Sequence, residues 1–312
     1  MLVPQATRDI KRRIKSVRNT RKVTKAMEMV AAAKMRKAVS NVLATRSYSR
    51  LAWELVRNLA RRTDSQYHPL LEKRDQIKKI GMVLITSNRG LCGGFNNQII
   101  NRVAKYIRQQ KEEVGIEADL VIMGKKGREA MFKQGHTVIA EFKKLDITNM
   151  IHEIRPLSNL IINDYLERKY DKVMIAYTDF VSTLVQKPRI LELLPIESKV
   201  EDEYLGQAKI GDLKVEQPAE TKLQSTELEY LFEPSPDEVL SELFPRLLEM
   251  QIYQAILESD ASEHSSRMVA MRNASDAAAD MIDDLTLMFN KARQALITAE
   301  LADISGGRIA ME

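Results

Sequence analysis

Residue types suited to bond chemistry are thinly spread in this chain, and the densest group is Ser87–Asn96, SNRGLCGGFN. It follows a run with strand character and precedes a helical one. Glycine-rich loops in that position often hold phosphate on the free N–H groups of a helix start. Here the spacing is not G-x-G-x-x-G, and no G-K-[ST] supplies a lysine and a magnesium-binding hydroxyl. We therefore read Gly90, Gly93 and Gly94 as a tight, closely packed turn. Cys92, the only cysteine, would need a base and an oxyanion site to act as a nucleophile. No histidine lies near it in sequence, so a small residue in a packed loop is the simpler reading. His68, His136, His152 and His264 are scattered without a metal-ligand spacing such as His-x3-His, so no zinc site is expected. No catalytic residue, metal or cofactor is expected.

Charge is the stronger chemical signal. The formal net charge is +5, but residues 1–50 hold 14 Lys/Arg against Asp9 and Glu28, whereas Arg246 to the end holds 6 basic and 11 acidic residues. A basic arm implies an acidic partner: nucleic acid, membrane headgroups or protein carboxylates. The densest part is Arg8–Lys25, with Arg12, Lys15, Lys22 and Lys25 near one face at helical spacing. No aromatic residue interleaves this run as single-strand stacking would want, and no DNA-binding module surrounds it. It has little amphipathic bulk for lying on a bilayer. Protein carboxylates remain, with a merely solvated helix face as the plain alternative. A single cysteine allows no intramolecular disulfide, which fits a reducing compartment. No run of about 18 apolar residues is present, so no segment should span a bilayer. The start, MLVPQATRDIKRRIK, lacks the apolar stretch of a secretory signal.

The elements that must carry these charges follow from helix-breaking residues. No glycine precedes Gly81 or falls between Gly211 and Gly306, and proline is absent from Gln5 to His68 and from Arg246 to Ser305. Both terminal segments are therefore free to be helical over great lengths. The C-terminal one can reach roughly 60 residues, or about 90 Å. Steps of three and four from Leu240 reach Leu243, Leu247, Met250, Gln254, Leu257, Ala261, His264, Met268 and Met271. They continue through Ser275, Ala278, Ile282, Leu285, Phe289, Ala292 and Leu296. All but Gln254, His264 and Ser275 are apolar, the 3.5-residue seam of a left-handed coiled coil. In the N-terminal segment Ile10, Ile14, Val17, Thr24, Met27, Ala31, Met35 and Ala38 mark one face, with Val23 and Val30 beside it, followed by Leu43, Leu51, Trp53, Leu55 and Leu59. It is the one other helix of comparable length, so an antiparallel pair within the chain is the simplest arrangement.

Between the helices, Ile80–Thr86, Ala118–Met123, Thr137–Phe142 and Lys172–Thr178 are short apolar, β-branched runs. Helical patterns at Asn96–Glu113, Lys125–Gln134 and Thr148–Lys169 separate them. Alternation of this kind predicts a Rossmann-like α/β domain with a largely parallel sheet of about five strands. Val181–Leu194 reads as one or two further strands, broken at Pro188. The fold class is thus α/β plus a long antiparallel coiled coil. The expected division is an N-terminal shaft helix over 1–60, a linker at 61–79, an α/β foot at 80–196, a charged surface insertion at 197–235, and a C-terminal shaft helix over 236–312. Gly306 and Gly307 are expected to stop that helix, with Ile309, Ala310 and Met311 frayed or inserted in a partner.

Four stretches, TKAMEMVAAAKM at 24–35, LITSNRGLCGGFN at 84–96, RMVAMRNASD at 267–276 and NKARQALITAEL at 290–301, together resemble the gamma subunit of F-type ATP synthases. They agree in order and spacing over both ends and the centre, and 197–235 is where the likeness is poorest. The resemblance implies a non-catalytic central-stalk rotor that couples ion-driven rotation of a membrane ring to ATP synthesis. Its implied partners are the alpha and beta subunits, the epsilon subunit and the membrane c-ring, with no nucleic acid and no direct insertion into the bilayer. It implies that Arg18, Arg21, Lys22, Lys25 and Met27 meet an acidic loop of beta. Arg293, Gln294, Thr298 and Glu300 match the upper contacts with alpha and beta, and Arg267 and Met271 a coupling region opposite Met27. The tail from Ile304 would turn inside an apolar sleeve. Plant chloroplast relatives carry a cysteine pair in an insertion of this region, and 197–235 has none, so thiol switching is not expected. The absence of a presequence points to a bacterium, hence a peripheral place on the cytoplasmic face of its inner membrane. Two readings compete: a Rossmann-like nucleotide-binding enzyme with helical arms, which dinucleotide binding by the isolated chain would support, and a coiled-coil nucleic-acid adaptor, which steeply salt-dependent DNA binding by residues 1–60 would support.

Overall fold

The computed structural model describes residues 3–62, 68–74, 76–148, 150–196 and 236–309, with side chains described except at 3–6, 46–62, 236–237, 303 and 306–309. The stretch 197–235, the side chains of Leu51, Trp53, Leu55 and Leu59, and Ala310 and Met311 lie outside that description. The elements in chain order are α1 (Val3–Arg62), β1 (Lys79–Ile85), α2 (Phe95–Val114), β2 (Glu117–Met123), α3 (Lys125–Lys133), β3 (Val138–Phe142), α4 (Arg155–Leu166), β4 (Lys172–Phe180), β5 (Gln186–Leu194) and α5 (Pro236–Ile309), with 3-10 turns at Pro69–Leu71 and Ile151–Ile154. Contacts divide the chain into two compact units, one of Met1–Ala32 with Arg267–Glu312 and one of Ala33–Ser266.

The larger unit is built on a five-stranded sheet of order β3-β2-β1-β4-β5. β1 pairs in parallel with β2 and β4, β2 in parallel with β3, and β5 runs antiparallel to β4. Alternate side chains of each strand enter opposite layers. Ile80, Met82 and Leu84 join Leu120 and Ile122 under Ile99, Ile100, Val103 and Ile107 of α2 and Met131 of α3. Val83, Ile85, Val121, Val173 and Ile175 face the other way, onto Leu157, Ile161 and Tyr165 of α4, Ala38 and Val42 of α1, and Leu248, Ile252 and Ile256 of α5. With helices on both faces, the β-branched runs read as nearly continuous apolar strands.

The expected break at Pro188 does not occur. Pro188 sits within β5 opposite Thr178, and β5 is an edge strand, the one place where a residue without an N–H leaves no ladder bond unmade. The expected stop at Gly306 and Gly307 does not occur either, because α5 runs through both to Ile309. Glycine permits the left-handed turn that ends a helix but does not impose it.

The seam on α5 is as expected. Every position from Leu240 to Leu296 on the three-four steps is buried or half-buried, and Met271, Ser275, Ala278, Ile282 and Leu285 are buried in the smaller unit. α1 meets it in each unit taken by itself: Glu28 accepts from Arg272 in the smaller one, and Thr45 donates to Gln254 in the larger. On α1 the seam differs from the expected face. Ile14, Ala31, Ala38 and Val42 are buried, but Val23, Met27 and Val30 are 53%, 40% and 57% exposed, while Glu28 is only 6% exposed. The steps run from Thr24 to Glu28 to Ala31, so an acid takes the place expected for Met27.

The loops of the larger unit hold two glycines with different constraints. Gly115 ends α2 at φ +74 in open space, whereas Gly124 precedes α3 at φ +109, where a Cβ would lie 2.2 Å from the Thr86 carbonyl oxygen. Gly115→Ala is expected to cost about 1 kcal/mol, the strain of the left-handed backbone alone. Gly124→Ala is expected to cost about 3 kcal/mol or more, since backbone must also move. Denaturant midpoints of the two purified variants check the difference.

Candidate interaction surface on the terminal helices

The smaller unit displays the basic arm on α1. Arg18, Arg21, Lys22 and Lys25 are all exposed. At about 100° per residue they fall within one arc beside the seam. Met27 does not share that arc. It stands about 180° from Arg18, on the other side of the seam, together with Val23 and Val30. α1 therefore presents Arg18, Arg21, Lys22 and Lys25 on one flank and Val23, Met27 and Val30 on the other. The exposed Met29 is in line with the cations, and Arg12, farther toward the helix start, is in line with Val30.

Glu28 lies between those flanks and joins them to α5. Its carboxylate accepts from Lys25 Nζ at 2.9 Å and from Arg272 Nε at 3.3 Å. Both cations remain more than half exposed, at 57% and 58% of their side chains. A carboxylate placed in an otherwise apolar seam costs desolvation, and two cations offset it. The Lys25 ammonium holds the Glu28 carboxyl below its ordinary value of 4.5 against the upward push of burial, and Arg272 adds to the lowering. Sequence reasoning passed over Glu28 because it is charged; the signal was its place on the three-four steps from Thr24.

The other expected residues are placed as follows. Met271 is buried in the seam next to Arg272, and Arg267 is half-buried. Arg293, Gln294, Thr298 and Glu300 are all exposed, and the Thr298 hydroxyl donates to the Gln294 carbonyl at 2.9 Å. Near them Ile297, Leu301 and Ile304 are 48%, 62% and 71% exposed at i, i+4, i+7 spacing, an apolar stripe along the end of α5. The structure thus brings Lys25 to Glu28 and Arg272, and leaves the group at 293–300 as a separate patch.

The glycine-rich stretch forms a turn, but Gly90, Gly93 and Gly94 are exposed, and a Cβ on Gly90 would meet nothing within 4 Å. The glycines themselves are therefore not closely packed, contrary to expectation; the packed residues of the loop are polar ones such as Ser87 and Asn96, and Cys92. Cys92 is buried at 2% exposure, and the Asn96 amide donates to its Sγ at 3.2 Å. The Ser87 N–H donates to Asn96 Oδ1 at 3.0 Å, and the Asn88 amide donates to the Lys144 carbonyl at 2.7 Å. The polar groups of the loop thus bind one another and the neighbouring loop. Among the described residues no group of His, Cys, Asp or Glu could hold a metal ion, and no helix is long and apolar enough to cross a membrane.

Comparison with known proteins gives a consistent result. The family profile described as ATP synthase matches residues 6–311. The ATP synthase gamma chain of Chloroflexus aurantiacus is 41% identical over 308 residues, covering 98% of this chain and 99% of that protein. That of Dehalococcoides mccartyi is 43% identical over 306 residues, covering 97% and 98%. Among solved structures, a chain of the Euglena gracilis mitochondrial ATP synthase is similar at a TM-score of 0.64 and 21% identity, covering 99% of this chain and 95% of that one. A chain of the Tetrahymena thermophila mitochondrial ATP synthase central stalk and c-ring is similar at 0.60 and 24%, covering 81% and 99%.

The Glu28 cluster has a pH signature. Because the folded carboxyl is held below 4.5, its stabilisation is full above that value and is lost as pH falls through the lower, folded one. Thermal midpoints of the parent chain are expected to drop more steeply below that pH than those of Glu28→Gln, which is the less stable of the two at neutral pH. Parallel pH curves for the two proteins would refute this.

Proposed function

The chain belongs to the ATP synthase gamma-chain family, and we propose that it turns within a ring of alpha and beta subunits, carrying ion-driven rotation of a membrane ring to the catalytic sites of beta. In this reading it makes and breaks no bonds itself. The sheet-bearing unit meets the epsilon subunit and the c-ring, and the helical unit enters the alpha/beta ring. The complex is peripheral on the cytoplasmic face of a bacterial membrane. The observation that carries the proposal is the family match over nearly the whole chain, in a molecule whose two long terminal helices pair along one seam.

Selection among beta conformations requires that the rotor interact with them unequally, since only differential binding shifts a population. The unlike flanks of α1 supply that inequality. Arg18, Arg21, Lys22 and Lys25 suit an acidic loop of beta. Such contacts must be remade at each step, and exposed pairs worth about 1 kcal/mol or less each can be broken easily, whereas a buried pair costs several when one partner is removed. Met27 lies on the flank of Val23 and Val30 and marks the angle at which the cationic contact ends. Arg267 and Met271 support that region from α5. Arg293, Gln294, Thr298 and Glu300 form the upper contact with alpha and beta, and the exposed apolar stripe ending at Ile304 suits an apolar sleeve around the tip.

The class is tested by co-purification. Assembly with alpha and beta, and ATPase activity that depends on this chain, are expected; a stable alpha–beta ATPase indifferent to it would exclude the rotor reading. Within the class, Met27→Lys places a cation on the flank of Val23 and Val30 and makes the two flanks more alike, a change of about 1 kcal/mol for one exposed pair. Fewer ions moved per ATP hydrolysed are expected, with hydrolysis retained. An unchanged ratio would count against the placement of Met27.

A further inference from the structure

From Ile252 to Ser265 every residue of α5 is buried, yet more than half of them are polar. A helix enclosed on all sides normally reads apolar, and buried polar groups cost unless they are paired. Most of them have partners, Ser259 Oγ being an exception, and those of Asp260, Glu263 and His264 lie on one loop. Lys144, just after β3, lies 3.1 Å from Asp260 Oδ1 and also bridges Glu263, with the Lys144 and Asp260 side chains 1% exposed. Burial opposes the charge on Lys144, but Glu263 and Asp260 outweigh it and hold the ammonium above its ordinary range. The Thr148 N–H donates to Asp260 Oδ2 at 2.9 Å. His264 Nε2 lies 2.7 Å from the Asp146 carbonyl oxygen, while the Asp146 carboxylate accepts from Lys34 of α1 at 2.8 Å. One short loop, 143–148, therefore grips both helices at once.

We propose that this loop, with Lys144 at its centre, is the torque junction of the molecule, where the sheet hands rotation to α5. The proposal rests on the rotor reading above. Apolar contacts are non-directional, and packed elements can slip past one another by a helical turn. A slip or a rotation of α5 about its axis would instead carry Asp260 and Glu263 away from Lys144 and leave a buried charge unpaired, the outcome such clusters penalise most. Ser262 and Ser265 donate to the carbonyls of Thr178 and Thr183 at 3.1 and 2.7 Å, tying α5 to β4 and to the turn after it.

The test uses the whole ATP synthase in vesicles, reading ATP hydrolysis and ATP-driven ion uptake together. The triple variant Lys144→Met, Asp260→Leu, Glu263→Met replaces the charges by apolar groups, a change that often preserves or raises stability. It is expected to keep the thermal midpoint and the ATPase while losing ion uptake per ATP. Leu257→Ala, in the same buried stretch, should lower the midpoint and leave that ratio intact. Lys34→Met, at a partly exposed pair that contributes little to stability, should lower the ratio less than the triple variant and serves if the triple variant fails to assemble. An unchanged ratio in the triple variant overturns the junction, as does an unchanged ratio in Lys34→Met where the triple does not assemble, or a loss in Leu257→Ala equal to that of the triple. ATPase that never depended on this chain would instead remove the rotor reading itself.

Discussion

A helix of 74 residues cannot hold its shape in water unless one side of it is covered along its length, because helix propensity alone is too weak. That requirement organises the molecule. In the smaller unit α1 covers the seam, and in the larger one the sheet, α4 and the part of α1 around Ala38 and Val42 enclose it. The sheet order follows from the same demand. Placing β1 and β4 at the centre gives α5 a broad floor of Val83, Ile85, Val173 and Ile175, while α2 and α3 close the opposite face. Pro245, inside α5, removes one backbone donor near the start of the helix, where Leu240, Phe244 and Leu248 are fully buried and packing compensates.

Much of this was legible in the sequence because it is one-dimensional. Burial of a long helix along a seam shows as steps of three and four, and every such step from Leu240 to Leu296 holds. The four apolar runs became β1 to β4 with bounds shifted by at most a residue or two. What was not legible depends on partners distant in sequence. Glu28 can sit in the seam only because Arg272 arrives from α5 to join Lys25, and no local pattern announces that. Pro188 is tolerated because β5 is an edge, which is a fact of sheet order rather than of the strand. Gln254 and His264 read as polar exceptions in the seam of a coiled coil, whereas they belong to the part of α5, Ile252 to Ser265, that is buried on every side. On the surface, the basic residues were recognisable as a group, but the placing of Met27 away from them follows from helical angle once the seam is known.

Charge is used in two ways that match its surroundings. At the surface of α1, cations stand in water, where each contact is weak and readily exchanged. Inside the larger unit, Lys144, Asp260 and Glu263 are held where a change of partner would be costly. Glu28 is intermediate, a buried carboxylate served by two cations that both reach solvent, so that neither alone is responsible for keeping it ionised.

The single thiol has a practical side. Cys92 is enclosed in its loop under the Asn96 amide, out of reach of bulky alkylating dyes in the folded state. The native chain is in that respect a silent background for site-specific labelling. One cysteine introduced at any exposed position would carry a fluorophore or spin probe alone, and angular motion could be followed optically without first stripping the protein of its own sulfur chemistry.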